Sequence, residues 1–213
     1  MEGIRYRLVY FPYAGSGEVL RQLLAFLGYD FKNELVDPEN IPEKYKDYKL
    51  PIMLLEKEKQ DQPSLIFTES EAIASLLAFK AELFDFDSDN YYRSRLIISQ
   101  CRELDDQLLK LHNQQNERNY KDIQKKFKNG FVNAFLNTLL LSLREYNVYI
   151  CNSSVNLADF YAVVAIEKIF MLDPDILKIK KYEPLQKYRN CFIKNNEFLR
   201  EYHEKRFKYA YFI

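Results

Sequence analysis

The sequence of 213 residues is long enough for one large domain or two small ones. Apolar residues make up 47% of it, which is enough to bury a core and argues against extensive disorder. The 31 Lys and Arg residues balance the 31 Asp and Glu residues, so no net charge favours binding to nucleic acid or to an anionic membrane.

The cysteine pattern and the amino-terminal segment indicate a cytoplasmic protein. Cys101, Cys151 and Cys191 are odd in number and far apart, which fits neither a CxxC metal pattern nor a disulfide framework. Arg5 and Arg7 interrupt the first apolar stretch, which has no small-residue cleavage site, so we do not interpret it as a secretory signal. No window approaches the roughly 20 apolar residues that span a bilayer.

The first third of the chain predicts an α/β domain. Alternating side chains predict a strand at 5–11, and apolar residues at helical spacing predict a helix from Glu18 that stops at Gly28. A second strand fits 31–36, and the polar segment 37–49 is expected to lie on the surface without regular structure.

Two more strands and a helix complete the predicted first domain. Short apolar runs at 50–55 and 65–68 flank a charged stretch, which predicts an antiparallel hairpin with an exposed turn. A helix then follows Thr68-Glu69-Ser70. The order is a βαβ unit followed by ββα, which is thioredoxin-like.

The remainder of the chain predicts an all-helical domain. The acidic segment 84–90 has the composition of a linker that ends at a helix start. Long helices are expected at 91–111, 120–144 and 156–171, with shorter ones around Leu185 and Phe198. We therefore predict a thioredoxin-like α/β domain at 1–83, the linker at 84–90 and an all-α domain at 91–213.

Four local motifs carry further information, and each has an ordinary structural interpretation when taken alone. Tyr10 is one of 17 tyrosines at a strand end, most Leu-Pro bonds are trans, and TESE is a common helix cap. The motifs are YRLVYF at 6–11 with Gly15, Glu18 and Arg21, then Lys49-Leu50-Pro51-Ile52, then Glu69-Ser70, and finally Ser154-Val155-Asn156-Leu157-Ala158-Asp159.

In this order the four motifs resemble those of cytosolic glutathione transferases, and most closely the sigma class, which includes haematopoietic prostaglandin D synthases. The resemblance spans nearly the whole chain and implies a glutathione-binding first domain and an all-helical second domain. It implies that Tyr10 is the catalytic tyrosine, that the bond before Pro51 is cis, and that Asn156 and Asp159 cap a buried helix.

The chemistry of a tyrosine in this role can be estimated. A thiol with an ordinary pKa of about 8.5 needs a depression of roughly two units, or about 3 kcal/mol, to be mostly ionised at neutral pH. One hydrogen bond to a charged group contributes about 1.5 to 3 kcal/mol. A phenol with a pKa near 10 stays protonated and can donate that bond.

The resemblance also implies a set of glutathione contacts. Leu50, between Lys49 and Pro51, would offer its backbone to the cysteinyl part, as an added strand would. Glu69 and Ser70 would bind the γ-glutamyl ammonium and carboxylate, helped by the N–H groups of a helix start. No metal or redox cofactor is implied, and His112 and His203 show no metal-ligand spacing.

Several positions depart from the sigma-class pattern. Ser16 stands where an arginine is common, and Ile41 replaces a tryptophan, in a loop about three residues shorter than the pattern. Lys44 or Lys46 would then bind the glycine carboxylate. Arg102 falls near the position of an acidic residue that reaches the partner's glutathione, for which Asp105 and Asp106 are the possible substitutes.

The predicted function is conjugation of glutathione to hydrophobic electrophiles by a homodimer. The electrophile pocket implied by the resemblance would be formed by Phe11, Tyr13, Tyr161 and Ala165, although such residues are more often core than pocket. The alternative is a dimeric binding protein with impaired glutathione binding. Isomerase activity cannot be separated from conjugation by sequence, because it depends on the shape of the pocket.

Overall fold

The computed structural model describes residues 4–57, 65–84, 87–146 and 148–206. The chain divides into two compact units at Glu82 and Leu83. The described residues from Lys194 to Arg206 group with the first unit, whereas we expected the whole carboxy-terminal part to belong to the helical domain. Most of the charged turn before β4, and residues 85 and 86 of the expected linker, lie outside the described residues.

The first unit contains a four-stranded mixed sheet in the order β2-β1-β3-β4. β1 runs parallel to β2 and antiparallel to β3, and β3 runs antiparallel to β4. This order confirms the predicted thioredoxin-like arrangement. The elements are β1 Ile4–Tyr10, α1 Gly17–Phe26, β2 Phe31–Leu35, β3 Ile52–Lys57, β4 Leu65–Phe67 and α2 Ser70–Lys80.

The segment between β2 and β3 covers part of the sheet instead of lying wholly on the surface. Tyr45, in a short 3-10 turn at Glu43–Tyr45, is buried in one apolar cluster with Val9, Ile52 and Leu54. Leu50 packs against the same cluster. The buried ring of Tyr45 therefore holds the otherwise polar segment between β2 and β3 against the sheet, because removing its apolar area from water is favourable.

The second unit is helical, as predicted. The long helix expected at 120–144 is divided by a π-helical turn at Lys128–Val132 that contains Gly130. Glycine has a low helix propensity, and a π-helical turn accommodates one extra residue in a helix. The helices are α3 Ser88–Asn113, α4 Tyr120–Phe127, α5 Asn133–Tyr146, α6 Leu157–Leu172 and α7 Glu183–Lys194, and α8 Glu197–Lys205 belongs to the first unit.

None of the helices in the described parts of the chain is both long enough and apolar enough to cross a membrane.

Helix α6 is buried along most of its length, so its first turn needs donors and acceptors from the protein itself. Asn156 and Asp159 form a reciprocal capping box, as predicted. The carboxylate of Asp159 also accepts hydrogen bonds from the N–H of Ile150 at 2.9 Å and from the hydroxyl of Tyr188 at 2.5 Å. Burial raises the pKa of Asp159 to about 6, and its hydrogen bonds act in the opposite direction.

Asn156 offers a test of this cap. Its side-chain oxygen accepts from the N–H of Ala158, but its buried amide nitrogen has no hydrogen-bond partner among the described residues. Asn156→Ser keeps the acceptor and removes this amide, so we expect the free energy of unfolding to rise by about 1 kcal/mol. Asn156→Ala loses the cap and should lower it by about 1 kcal/mol. Urea denaturation measures both, and equal losses would show that the amide contributes to stability.

Candidate functional site

Tyr10 is the last residue of β1 and is 8% exposed. Its hydroxyl oxygen accepts a hydrogen bond from the backbone N–H of Ser16 at 3.3 Å and lies 3.4 Å from the Ser16 hydroxyl. Because the N–H uses the acceptor side of the phenol, the phenolic hydrogen is available for donation to another group. The loop therefore fixes Tyr10 as a potential donor.

Two glycines permit this close approach of the loop to Tyr10. Gly15 has a φ of +37°, and a Cβ atom there would lie 2.3 Å from the Tyr10 hydroxyl oxygen. A Cβ atom on Gly17 would lie 2.4 Å from Cδ1 of the same ring. Both distances are far below a normal contact, so the ring and the loop fit together only because both side chains are absent.

Arg21 holds the loop between β1 and α1 from within the protein. Its side chain is fully buried, and its guanidinium lies 5.5 Å from the centroid of the Tyr10 ring. It donates to the carbonyl oxygen of Phe11 at 3.1 Å and to that of Tyr13 at 2.9 Å. Its Nε donates to Oδ1 of Asn33 at 3.1 Å. The same guanidinium thus connects α1, the loop and β2.

Strand register brings the other predicted motifs to the same end of the sheet. Val9 pairs with Ile52, so Leu50 and Pro51 enter β3 beside Tyr10, and the Leu50–Pro51 bond is cis, as the resemblance implies. β3 pairs with β4, which ends at Phe67, two residues before Glu69. Strands lie about 4.8 Å apart, so β1 to β4 spans roughly 10 Å. An extended tripeptide is also about 10 Å long.

The start of α2 has an unusual backbone. Glu69 precedes the helix with a φ of 64°, a conformation that costs roughly 1 to 3 kcal/mol for a residue with a side chain. Its side chain is exposed, and Ser70 is half-buried as the first residue of α2. The N–H groups of this first turn and the Ser70 hydroxyl can together donate hydrogen bonds to a carboxylate.

Lys44 has a carboxylate partner within the protein. Its ammonium lies 3.5 Å from Oε1 of Glu34 and 4.4 Å from the ring centroid of Tyr45. Glu34 also accepts from Arg7 at 3.0 Å and from the Tyr45 hydroxyl at 3.0 Å. Burial acts to raise the pKa of Glu34, but the hydrogen bonds from Arg7 and Tyr45 and the nearby charges outweigh it, so the pKa is lowered. Lys49 is exposed.

The residues predicted for the electrophile pocket belong to different units. Phe11 and Tyr13 are half-buried in the first unit, with ring centroids 6.1 Å apart. Tyr161 is half-buried and Ala165 is 2% exposed on α6 of the helical unit.

Two of the three cysteine thiols are buried and do not provide a reactive sulfur. Burial raises the pKa of Cys151 to about 12 and that of Cys101 well above its ordinary value, so both thiols stay protonated. Cys191 is exposed on α7. Among the described residues, no group of three or more His, Cys, Asp or Glu side chains could hold a metal ion.

Three partnerships were not apparent from the sequence. Ser16 was identified only as a replacement for arginine, yet it is the residue that contacts the Tyr10 hydroxyl. The partner of Lys44 is Glu34, ten residues earlier. Asp105, expected as a possible contact to a partner's glutathione, instead pairs with the buried Lys168 at 2.6 Å. The two glycines flanking Ser16 are the one sequence signal that pointed to a close approach.

The crowding at Gly17 can be tested against a glycine that has space. Gly17→Ala places a methyl group against the Tyr10 ring, so we expect the free energy of unfolding to fall by about 1 to 3 kcal/mol. The control is Gly130→Ala, where no atom lies within 4 Å of the new Cβ atom and no loss is expected. Thermal unfolding of both variants measures the difference, and equal effects would contradict the crowding.

Comparisons with known proteins agree with this architecture. The family model "Glutathione S-transferase, C-terminal domain" matches residues 100–196. The class-mu 28 kDa glutathione S-transferase isozyme of Schistosoma japonicum is 27% identical over 96% of this chain and 100% of the relative. The corresponding isozyme of Schistosoma mansoni is 26% identical over 95% of this chain and 96% of the relative.

Solved structures show the same fold. A sigma-class glutathione transferase of Fasciola hepatica aligns with a TM-score of 0.84 at 22% identity, covering 96% of this chain and 98% of that one. A prostaglandin synthase D of Nilaparvata lugens aligns with a TM-score of 0.78 at 22% identity, covering 95% and 98%. The helical-domain match, the relatives that align over nearly the whole chain and the thioredoxin-like first unit together support a cytosolic glutathione S-transferase.

Proposed function

We propose that the protein is a glutathione S-transferase that conjugates the glutathione thiolate to hydrophobic electrophiles. The observation that carries this proposal is the position of Tyr10, whose hydroxyl accepts a hydrogen bond from Ser16 and can donate its own proton to a sulfur. The names of the full-length relatives support transferase activity over the alternative of a binding protein with impaired glutathione binding.

Tyr10 acts in this proposal by stabilising the charged sulfur. A hydrogen bond from the phenol to the thiolate contributes about 1.5 to 3 kcal/mol, which lowers the thiol pKa by about one to two units. The N–H of Ser16 favours donation in this direction, since it withdraws electron density from the phenolic oxygen. The thiolate attacks the electrophile, and the buried thiols of Cys101 and Cys151 take no part.

The glutathione backbone is proposed to lie across the strand ends. Leu50 precedes the first paired residue of β3, Ile52, so its backbone is not part of the strand ladder and can bind the cysteinyl residue as an added strand does. Lys49 and Pro51 flank it. At the β4 side, Glu69 is proposed to bind the ammonium of the γ-glutamyl residue, and Ser70 with the α2 N-terminus its carboxylate.

Lys44 is proposed to bind the glycine carboxylate from the β2 side of the sheet. Its present partner Glu34 is shared with Arg7 and Tyr45, so the glycine carboxylate would add a second anion beside Lys44 without leaving Glu34 unpaired. The glycine end should therefore contribute less binding energy than an unshared ammonium would.

The electrophile is proposed to contact Phe11, Tyr13, Tyr161 and Ala165, the residues that the resemblance implies. Aromatic rings and a small residue suit an apolar ligand of ordinary size. A role in detoxification is part of this proposal. The assignment to the sigma class is also proposed, because a sigma-class enzyme is a structural neighbour whereas the curated relatives are named class mu. A cytoplasmic location also stays a prediction, and the three free cysteines are compatible with it.

The role of Tyr10 can be measured by conjugation of a general electrophile. Tyr10→Phe removes the donor, so we expect kcat/KM at pH 7 to fall by about 10- to 100-fold. Ser16→Ala removes only the hydroxyl at 3.4 Å and should lower it by about 2- to 5-fold, with little change in stability because the Ser16 side chain makes no cap hydrogen bond. Equal rates for wild type and Tyr10→Phe would remove Tyr10 from the mechanism.

Calorimetry with glutathione separates the enzyme from the alternative. Binding by the wild type in the micromolar to millimolar range supports the transferase, and absence of binding supports a protein that keeps only the fold. In the same titration Lys44→Met is expected to weaken binding by about 2- to 5-fold, as loss of one exposed ion pair does. Lys46→Met is the matched control, because Lys46 pairs with Glu43 in the same turn.

A homodimer is the proposed assembly. Large apolar side chains are exposed on β4, the edge strand of the sheet, and on α2, where Phe79 is 67% exposed. The helical unit likewise exposes Tyr91, Tyr92 and Leu96 along α3. Exposed apolar groups of this size on one chain indicate surfaces that associate with another copy.

Sedimentation analysis tests the dimer. The wild type is expected at twice the 25.6 kDa mass of the chain, and Tyr92→Glu is expected to shift it towards the monomer, because a charge would be buried in the interface. Leu141→Glu is the control, since Leu141 is equally exposed but lies on α5. A monomeric wild type, or equal dissociation of both variants, would contradict this interface.

A further inference from the structure

We propose that Tyr202 and Arg206, at the end of α8, are positioning residues that hold the loop after β1 through the buried carboxylate of Glu18. This loop, residues 11–16, is called the Tyr10 loop below. For its effect on the reaction, the inference rests on the proposed role of Tyr10. Its structural part, the connection between α8 and the loop, stands on contacts within the first unit alone.

Glu18 is the centre of this connection. It lies in the first turn of α1 and is fully buried, so its charge must be stabilised by donors inside the protein. Arg206 donates to Oε1 at 2.6 Å, and the Tyr202 hydroxyl lies 3.1 and 3.2 Å from the two oxygens. Two residues almost 190 positions later therefore stabilise a charge at the start of α1.

Glu18 in turn contacts the residue that holds the Tyr10 loop. Oε2 of Glu18 lies 3.4 Å from Nη1 of Arg21, and that same nitrogen donates to the carbonyl oxygen of Tyr13. The other terminal nitrogen of Arg21 donates to the carbonyl oxygen of Phe11. Since a guanidinium is planar and rigid, the position of Glu18 influences how both carbonyl groups are held.

Further contacts keep α8 close to this network. The side chain of Asn196 caps α8 by accepting from the N–H of Leu199, and its amide donates to the carbonyl oxygen of Phe26 at the end of α1. At the same end of α1, Gly28 lies so close to the Phe198 ring that a Cβ atom would be 3.0 Å from it. α8 is thus attached to α1 at both ends, and the attachment through Arg206 and Tyr202 leads to the Tyr10 loop.

The consequence concerns the position of the Tyr10 hydroxyl. The Tyr10 loop supplies the N–H of Ser16 that orients this hydroxyl, and small displacements of a catalytic donor lower the rate strongly. Without Arg206, Arg21 would have to stabilise more of the Glu18 charge, together with the Tyr202 hydroxyl and the Gln22 amide that also contact this carboxylate. A closer contact of Arg21 with Glu18 would weaken its hydrogen bonds to the loop carbonyl groups. The loop would then hold Tyr10 less well, although neither Arg206 nor Tyr202 touches the Tyr10 hydroxyl.

Two measurements test the proposal on the whole chain of 213 residues. Hydrogen exchange of residues 11–16 reports the loop directly, without any ligand. Kinetics of glutathione conjugation, with kcat, KM for the electrophile and the pH profile of kcat/KM, report the effect on Tyr10. The variants are Arg206→Ala, Arg206→Lys and Tyr202→Phe, with Lys205→Ala as the control, because Lys205 lies next in sequence but pairs with Glu201 on the surface.

We expect Arg206→Ala to increase exchange in residues 11–16 by about tenfold and to lower kcat at pH 7 by about tenfold, with KM for the electrophile changed less than twofold. The rise of kcat/KM with pH should move to higher pH, because the thiolate is held less well. Arg206→Lys should restore part of both effects, Tyr202→Phe should show a smaller change of the same kind, and Lys205→Ala should show none.

A double variant separates action through Glu18 from general stabilisation. In Glu18→Gln the buried charge is absent, so adding Arg206→Ala should change exchange of the loop less than threefold. An unchanged tenfold effect in that background, or exchange that rises equally throughout the first unit with an unchanged pH profile, would overturn the proposal. If the wild type conjugates no electrophile, the proposed function fails, and hydrogen exchange still decides whether α8 holds the loop.

If Glu18→Gln does not fold, the comparison of Tyr202→Phe with Lys205→Ala decides whether α8 acts on the loop.

Discussion

Burial of the Glu18 and Arg21 side chains is the constraint around which the first unit is arranged. Both side chains are inaccessible to solvent, and a buried charge without partners costs several kcal/mol. The donors and acceptors that prevent this cost come from the loop after β1, from β2 and from α8. The hydrogen bonds and ion pairs of Glu18 and Arg21 therefore bring together segments that are distant along the chain, and they fix the loop beside Tyr10.

In the helical unit, a buried carboxylate at the start of a helix has a similar effect. Asp159 lies in the first turn of α6, and two backbone N–H groups and the Tyr188 hydroxyl donate to it. Burial raises the pKa of Tyr188 well above its ordinary value, so its hydroxyl stays protonated and remains a donor. In both units, a charge at the start of a buried helix determines how distant segments are connected.

The two sides of the candidate site are held by different kinds of contact. At the β1 and β3 ends, a tyrosine hydroxyl oriented by a backbone N–H and a cis-proline segment stand next to each other through strand register. At the β2 side, Lys44 shares Glu34 with two other donors. Of the departures from the sigma-class pattern, Ile41 and the shortened loop follow β2, whereas Ser16 lies beside the Tyr10 hydroxyl.

The sequence by itself determined the order of strands and helices and the position of Tyr10 at a strand end, because these depend on local periodicity and turn residues. The resemblance to a known family added the cis bond before Pro51 and the capping box of α6. The sequence did not determine that α8 joins the first unit, that Ser16 contacts Tyr10, or that Lys44, Asp105 and Glu18 have the partners they have. Those contacts join residues that are distant along the chain, or depend on the direction in which a side chain points. Only the tertiary structure decides them, since a buried charge is stabilised by the donors and acceptors that the fold places near it.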